Sequence, residues 1–193
     1  MSPEHDPGVR LMLAYQRGDE SAFDRLVERF SGQVYALLTR FLGPVAERED
    51  LVQEVFLRVI RARQGYRPTA RFSTWIYRIV FNLCVNTRAR SDNDDVSIEA
   101  LAGKDAVDWP DEAVPEPSSS LERADVVAAV QGAIAALPAR QRMTLILAKY
   151  ENLSYAEIAD VLDTSEKAVK SIVHRARENL RTTLAPFLEG ELA

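Results

Sequence analysis

Residues 153–181 (LSYAEIADVLDTSEKAVKSIVHRARENLR) predict two helices joined by a tight turn. Ser154 and Glu157 form the capping-box pattern that starts a helix, and Ser165 can N-cap a second one. Apolar side chains recur at helical spacing in both segments, whereas polar and basic side chains cover the other faces of the second helix. This pattern is typical of a helix-turn-helix, whose second helix enters a DNA major groove. An ordinary helical hairpin with a solvated basic face is the alternative.

Apolar residues elsewhere in the 193-residue chain also recur with the period of an α-helix, so we expect an all-α fold. No apolar run is long enough to span a bilayer, and no basic-then-apolar signal pattern begins the chain. This predicts a cytoplasmic protein without membrane insertion. The single cysteine, Cys84, excludes an internal disulfide and a cysteine-based zinc cluster, and its place on an apolar stripe predicts a core position. With two distant histidines, His5 and His174, we expect neither a metal site nor a cofactor.

The net charge of −5 is unevenly distributed along the chain. Residues 1–90 carry 14 arginines and 10 acidic residues, whereas residues 91–125 carry 2 basic and 11 acidic residues. Residues 91–120 are also rich in proline and serine and lack sustained periodicity, which predicts a flexible linker. We therefore expect two small helical domains, at residues 8–90 and 121–186, joined by the acidic linker.

Residues 61–90 contain seven arginines and no acidic residue. Aromatic side chains, and a stripe of polar residues at every fourth position, are interleaved with these arginines. Amides and guanidiniums bind base edges and phosphates, and aromatic rings stack on unpaired bases. The segment therefore predicts a second nucleic-acid surface with these candidate residues: Tyr66, Arg67, Arg71, Phe72, Thr74, Trp75, Arg78, Asn82 and Asn86. The alternative is that the aromatic rings belong to the core and the arginines to a solvated face.

The chain resembles bacterial RNA polymerase sigma factors of the extracytoplasmic-function group, within the sigma-70 family. Four segments in order carry the resemblance: DLVQEVFLRV, FSTWIYRI, LSYAEIA and VKSIVHRAR. It covers most of residues 10–185, and it identifies residues 8–90 as region 2 and residues 121–186 as region 4. The resemblance implies a promoter-specificity subunit that binds core RNA polymerase and directs initiation at −10 and −35 promoter elements. An anti-sigma factor is a further implied partner.

Three binding surfaces are implied by this resemblance. The first lies on the third helix and contacts the clamp coiled coil of the polymerase β′ subunit through Asp50, Gln53, Glu54, Leu57 and Arg58. The second captures the non-template single strand and helps to melt the −10 region through the nine candidate residues of the arginine-rich segment. The third reads the −35 duplex through the second helix of the helix-turn-helix: Ser165, Glu166, Lys167, Lys170, Ser171, His174, Arg175 and Arg177. His174, Arg177 and Arg181 are also placed for phosphates or for the polymerase β flap.

The turn between the two helices departs from the family pattern, which usually places Gly or Asn and then an aliphatic residue there. This chain has Asp163 and Thr164 instead. Because Asp tolerates the left-handed backbone conformation, we expect the turn to be kept.

Two other classes of function compete with the sigma-factor hypothesis. A stand-alone helix-turn-helix transcription regulator would bind an operator without polymerase and would usually be a dimer. An enzyme would need a nucleophile paired with a base, a Gly-rich phosphate loop or metal-ligand spacing, and the sequence contains none of these patterns. We therefore expect a binding protein without catalytic activity.

Overall fold

The structure is a computed structural model that describes residues 5–43, 48–93 and 120–189. These residues form eight α-helices and no strand, which confirms the predicted all-α fold. The helices are α1 Pro7–Gln16, α2 Glu20–Leu42, α3 Arg48–Ala62, α4 Phe72–Asn93, α5 Ser120–Ala136, α6 Ala139–Lys149, α7 Tyr155–Leu162 and α8 Glu166–Glu189. A 3-10 turn, Arg63–Gly65, follows α3. Helix α4 continues past residue 91, where the sequence predicts the start of the linker, and residues 94–119 lie outside the described part of the chain.

Helices α1–α4 form the N-terminal unit, with α2 in contact with α1, α3 and α4. The apolar residues of α2 recur every three or four positions, so they line one side of the helix and are buried together. Its fully buried side chains include Leu26, Val34 and Leu37. Helix α1 approaches so closely that a Cβ on Gly8 would lie 2.8 Å from the ring of Phe30. Only glycine fits at that point of contact.

Helices α5–α8 form the C-terminal unit. The predicted capping box at the start of α7 is confirmed: the Ser154 hydroxyl accepts from the Glu157 N–H, and the Ser154 N–H donates to the Glu157 carboxylate at 2.9 Å. The Ser165 hydroxyl accepts from the N–H of Ala168 at 3.2 Å and so caps α8. Asp163 has a φ of 51° in the left-handed region, which keeps the predicted turn. The two helices thus have the expected helix-turn-helix connection.

The two units pack on each other. Helix α7 lies against α4, and α6 contacts α2. Buried apolar side chains of α1–α4 and of α6–α8 belong to one continuous hydrophobic core. The buried Cys84 is part of this core, as the sequence predicts. The arrangement of the two units relative to each other was not predictable from local sequence patterns.

Three apolar residues are more exposed than their helical spacing predicts. Ile60 on α3 follows the buried Val59 and is 40% exposed, because it lies beyond the stripe that packs inward. Val127 and Val130 on α5 are also exposed, whereas Ala133 further along the same helix is buried. None of the helices in the described residues combines the length and apolar character needed to cross a membrane.

Candidate nucleic-acid interface

The first turns of α8 carry the predicted DNA-reading residues on one accessible side. Val169, Val173 and Ala176 anchor the opposite side of the helix in the core. All eight candidates for the −35 surface are exposed: Ser165, Glu166, Lys167, Lys170, Ser171, His174, Arg175 and Arg177. Lys167, Lys170, Ser171, His174 and Arg175 recur at intervals of three and four positions, so these five lie along one helix face. Basic residues predominate there, although Lys170 forms an ion pair of 3.0 Å with Glu166.

The nine candidates around α4 separate into an exposed set and a buried set. Arg67, Arg71, Arg78, Asn82 and Asn86 are exposed. Trp75 is half-buried. The structure therefore brings one tryptophan together with arginine and asparagine side chains, which are suited to phosphates and base edges.

Tyr66, Phe72 and Thr74 do not lie on this surface. Their exposed fractions are 2%, 0% and 2%, so they belong to the core in this conformation, and the prediction that they face nucleic acid requires correction. Aromatic packing explains the position of the rings: Tyr66 lies edge-on to Trp75 at 4.9 Å between ring centroids, and Phe72 lies 4.8 Å from Phe30. Burial also raises the pKa of the Tyr66 hydroxyl. Both buried rings pack against Trp75.

Helix α3 presents the predicted polymerase-binding residues on its outer side. Asp50, Gln53 and Leu57 are exposed, and the half-buried Glu54 and Arg58 form an ion pair of 2.9 Å. The hydrogen bond from Arg58 holds the pKa of the Glu54 carboxyl below its usual value.

One exposed apolar residue on this side of α3 was not among the sequence predictions. Ile60 is exposed three positions after Leu57, which is 45% exposed, so the two form an apolar pair on α3. The three-residue spacing from an outward-facing leucine was the available signal. Helical spacing also places Ile60 in the apolar stripe with Val55, Phe56 and Val59, and that stripe predicts burial.

Two arginines of the α4 surface are paired with carboxylates of the helix-turn-helix. Arg71 Nη1 lies 3.2 Å from Glu157 Oε1, and Arg78 Nη2 lies 3.3 Å from Asp163 Oδ2. Partial burial raises the pKa of Glu157, but hydrogen bonds from Ser154 and the positive charge of Arg71 more than offset this and give a net lowering. Glu157 is therefore a stable anion beside the α4 surface.

No group of three or more potential metal-binding His, Cys, Asp or Glu side chains occurs within the described residues. The apolar cavity between α5 and α6 is about 200 Å³ in volume and is lined by Ile134, Leu145, Ile146, Lys149 and Tyr150. It lies apart from the candidate surfaces on α3 and α4.

Comparison with protein families gives two matches. Residues 26–93 match the family described as Sigma-70 region 2, and residues 128–180 match Sigma-70, region 4. The RNA polymerase sigma-H factor of Pseudomonas aeruginosa is 34% identical over 186 residues, which cover 93% of this chain and 94% of that protein. The ECF RNA polymerase sigma factor SigW of Bacillus subtilis is 32% identical over 173 residues, which cover 88% of this chain and 92% of that protein.

Two solved structures have a similar fold. CnrH, in a complex with the cytosolic domain of CnrY, has a TM-score of 0.65 and 24% sequence identity, and the match covers 94% of this chain and 99% of CnrH. The sigma factor RpoE, in a complex with the anti-sigma factor NepR from Bartonella quintana, has a TM-score of 0.57 and 23% identity, with coverage of 84% and 96%. At these identities the similarity concerns the fold.

Proposed function

The chain belongs to the extracytoplasmic-function group of the sigma-70 family of RNA polymerase sigma factors, and we propose that its two helical units read two promoter elements when core polymerase holds them. It serves as a promoter-specificity subunit in transcription initiation. The observation that carries the residue-level proposal is the presence of two separate exposed faces on one chain. One face is the basic side of α8, and the other is the arginine and asparagine side of α4.

The proposed −35 reader is α8. Five exposed residues would face the bases of the duplex in the major groove, because arginine and lysine are well suited to guanine edges and phosphates: Glu166, Lys167, Lys170, Ser171 and Arg175. His174 and Arg177, together with Arg181, are proposed for phosphate contacts or for the β flap of polymerase. His174 and Arg177 are among the eight exposed candidates, and the flanking Arg181 is also exposed.

The proposed −10 reader is narrower than the sequence analysis suggested. Trp75 supplies a ring for stacking on an unpaired base of the non-template strand. The exposed residues Arg67, Arg71, Arg78, Asn82 and Asn86 supply phosphate and base-edge contacts. The buried residues of this segment would have an indirect role, because their packing would fix the orientation of Trp75 and the start of α4: Tyr66, Phe72 and Thr74. This surface would help to keep the −10 region melted.

The proposed polymerase contact is the outer side of α3, with the clamp coiled coil of the β′ subunit as partner. Leu57 and Ile60 provide its apolar centre, and Asp50, Gln53, Glu54 and Arg58 provide the polar surroundings. An apolar centre within a polar rim is the common composition of a protein interface. The proposed role is binding rather than catalysis, in the cytoplasm, where core polymerase acts.

An anti-sigma factor is a further proposed partner. The sigma factor RpoE, whose fold this chain shares, was solved in a complex with the anti-sigma factor NepR. Such a partner would keep the chain from core polymerase until a signal released it.

Transcription in vitro tests the proposed function. Core polymerase with the purified chain, on a pool of genomic fragments, should start at defined sites that polymerase alone does not use. The chain alone should protect no specific duplex site at physiological salt. A stand-alone helix-turn-helix regulator would give the opposite result, with a footprint in the absence of polymerase.

A further inference from the structure

The amide of Gln16, the last residue of α1, joins this helix to the connection between α3 and α4. Its Nε2 donates to three carbonyl oxygens of that connection: Arg63 at 2.9 Å, Gln64 at 3.2 Å and Tyr66 at 3.3 Å. Carbonyl groups at a helix end lack partners within the helix, and the 3-10 turn with Arg63 and Gln64 directly follows α3. One side chain therefore holds a segment that lies 47 to 50 positions away in the chain.

A second contact holds the same connection through the side chain of Arg63. Its guanidinium lies 4.0 Å from the ring centroid of Tyr15, which is buried. Arg63 Nη1 also lies 2.8 Å from Glu20 Oε1, but the glutamate is exposed, so this ion pair contributes little. The cation–π contact with a buried ring is the stronger of the two. Two adjacent residues of α1, Tyr15 and Gln16, thus fix the path of residues 63–66.

The carbonyl group of Tyr66 links Gln16 to one of the proposed strand contacts. It accepts a hydrogen bond of 3.3 Å from Gln16 and another of 3.3 Å from Nη1 of the exposed Arg67. The hydroxyl of Tyr66, in contrast, is buried and has no hydrogen-bond partner within the part of the chain that the structure describes. The position of Tyr66 therefore depends on its carbonyl group and on the packing of its ring.

The ring of Tyr66 in turn determines how Trp75 is held. Tyr66 lies edge-on to Trp75 at 4.9 Å between ring centroids, and Phe72 lies 5.4 Å from the same ring. Phe72 is fully buried at the start of α4, whereas Tyr66 belongs to the connection. A shift of the connection would therefore remove one of the two aromatic rings that pack against Trp75.

From these contacts we infer that Gln16 is a positioning residue for the proposed −10 surface. Its amide fixes the connection, the connection places Tyr66, and the ring of Tyr66 orients Trp75 for an unpaired base of the non-template strand. Gln16 acts through the connection, since its Nε2 is directed to the three carbonyl groups. A surface that is ordered beforehand binds more tightly, because less conformational entropy is lost on association. This inference rests on the proposed −10 role of α4.

A matched pair of variants of the full chain tests this inference. Gln16→Met keeps the length of the side chain and removes the donor. Gln141→Met makes the same exchange on α6, where Gln141 accepts an exposed hydrogen bond of 2.8 Å from Asn179. Both variants also carry Trp109→Phe, which leaves Trp75 as the only tryptophan, and the parent for comparison is the Trp109→Phe chain. The probe is a fluorescent 12-nucleotide single strand from the −10 region of a start site mapped in the transcription experiment, bound by the complex with core polymerase.

We expect Gln16→Met to bind core polymerase like the parent but to bind the strand about five-fold more weakly, which corresponds to the loss of about one net hydrogen bond. In the free chain, acrylamide should quench the fluorescence of Trp75 more efficiently than in the parent, because the ring is less well covered. Gln141→Met should match the parent in all three measurements. A general loss of stability would not alter Trp75 in the molecules that remain folded.

Parent-like strand affinity of Gln16→Met would overturn the inference. Weaker affinity with unchanged quenching of Trp75 would also overturn it, because Gln16 would then not act by orienting that ring. If circular dichroism shows that Gln16→Met fails to fold, Gln16→Asn takes its place with the same expectations. That variant keeps the amide but withdraws it from the carbonyl groups by one methylene group.

Failure of the proposed −10 role has a different signature. Trp75→Ala would then leave promoter melting by the polymerase complex unchanged, as measured by permanganate reactivity of unpaired thymines. If Trp75→Ala impairs melting while Gln16→Met binds the strand like the parent, the −10 role stands and the positioning role of Gln16 is wrong.

Discussion

The guanidinium of Arg142 and the carbonyl oxygen of Phe41 are joined by a hydrogen bond of 2.8 Å, although 101 positions separate them in the chain. The bond is buried and connects α6 to the end of α2. It spans the boundary between the segments that match sigma-70 regions 2 and 4. Stability of the free chain should therefore depend on a single arginine outside both of the proposed DNA-reading surfaces.

Arg142→Ala should lower the free energy of unfolding by about 2–4 kcal/mol, because it leaves buried carbonyl groups without a donor. Arg140→Ala is the matched control: Arg140 lies on the same helix and donates to the carbonyl of Leu162 at 3.3 Å, but it is exposed. We expect the control to lose less than about 0.5 kcal/mol. Urea denaturation measures both, and equal losses would contradict a special role for Arg142.

Arg175→Ala should weaken initiation at promoters that depend on the −35 element about ten-fold, because one contact to a base or phosphate is lost. Core polymerase binding should be unchanged. Arg25→Ala removes the same charge from an exposed position on α2, where Arg25 pairs with Asp19, and should have no effect on initiation. Run-off transcription and polymerase pull-down measure the two properties. Loss of polymerase binding by Arg175→Ala would show that this face of α8 meets protein rather than DNA.

Leu57→Asp should reduce affinity for core polymerase at least ~10-fold, since a charge would replace an apolar side chain at the proposed interface centre. Its thermal stability should change little, because Leu57 is already 45% exposed. Val127→Asp, at a valine with 42% exposure on α5, is the control and should bind polymerase normally. Fluorescence anisotropy with labelled chain provides the affinities. Normal binding by Leu57→Asp would move the polymerase contact away from α3.

The buried thiol of Cys84 should make the free energy of unfolding fall at alkaline pH. Burial raises the pKa of its thiol from 9.0 to about 12. In the unfolded chain the thiol ionises above pH 9, whereas in the folded chain it stays protonated, so the folded state loses stability as the pH rises from about 9 to about 12. The loss relative to neutral pH should reach about 1.4 kcal/mol at pH 10.

The measurement for Cys84 compares urea denaturation of the parent and of Cys84→Ala at pH 8 and pH 10. The alanine variant is less stable at both values because of the cavity, but it should lack the additional loss at pH 10. An identical pH dependence in the two proteins would show that other groups cause it.

Local patterns in the sequence were sufficient to predict the helices, the capping box at Ser154 and the accessible face of α8. Each of these depends on residues within one or two turns of one another, so a short window contains the information. The core position of Cys84 followed from the same periodicity. Periodicity alone predicts that Ile60 is buried, because an apolar residue that follows the buried Val59 fits the apolar stripe of α3 equally well.

The burial of Tyr66 and Phe72 could not be deduced in this way. Tyr66 lies in a connection whose path is fixed partly by Gln16 of α1, which donates to the carbonyl of Arg63 at 2.9 Å. Phe72 packs against Phe30, a residue distant in sequence. The pairs Arg71–Glu157 and Arg78–Asp163 are likewise formed by tertiary packing alone. Without the packing, an arginine-rich segment with aromatic residues predicts an open surface.

The left-handed residue Asp163 has two separable properties, its backbone conformation and its carboxylate. Glycine or asparagine would form the same turn, so the backbone alone does not require aspartate. The carboxylate instead lies 3.3 Å from the guanidinium of Arg78 on α4, so its charge links the turn to the N-terminal unit. Exchange of Asp163 for glycine or asparagine would therefore keep the helix-turn-helix and remove one ionic contact between the two units.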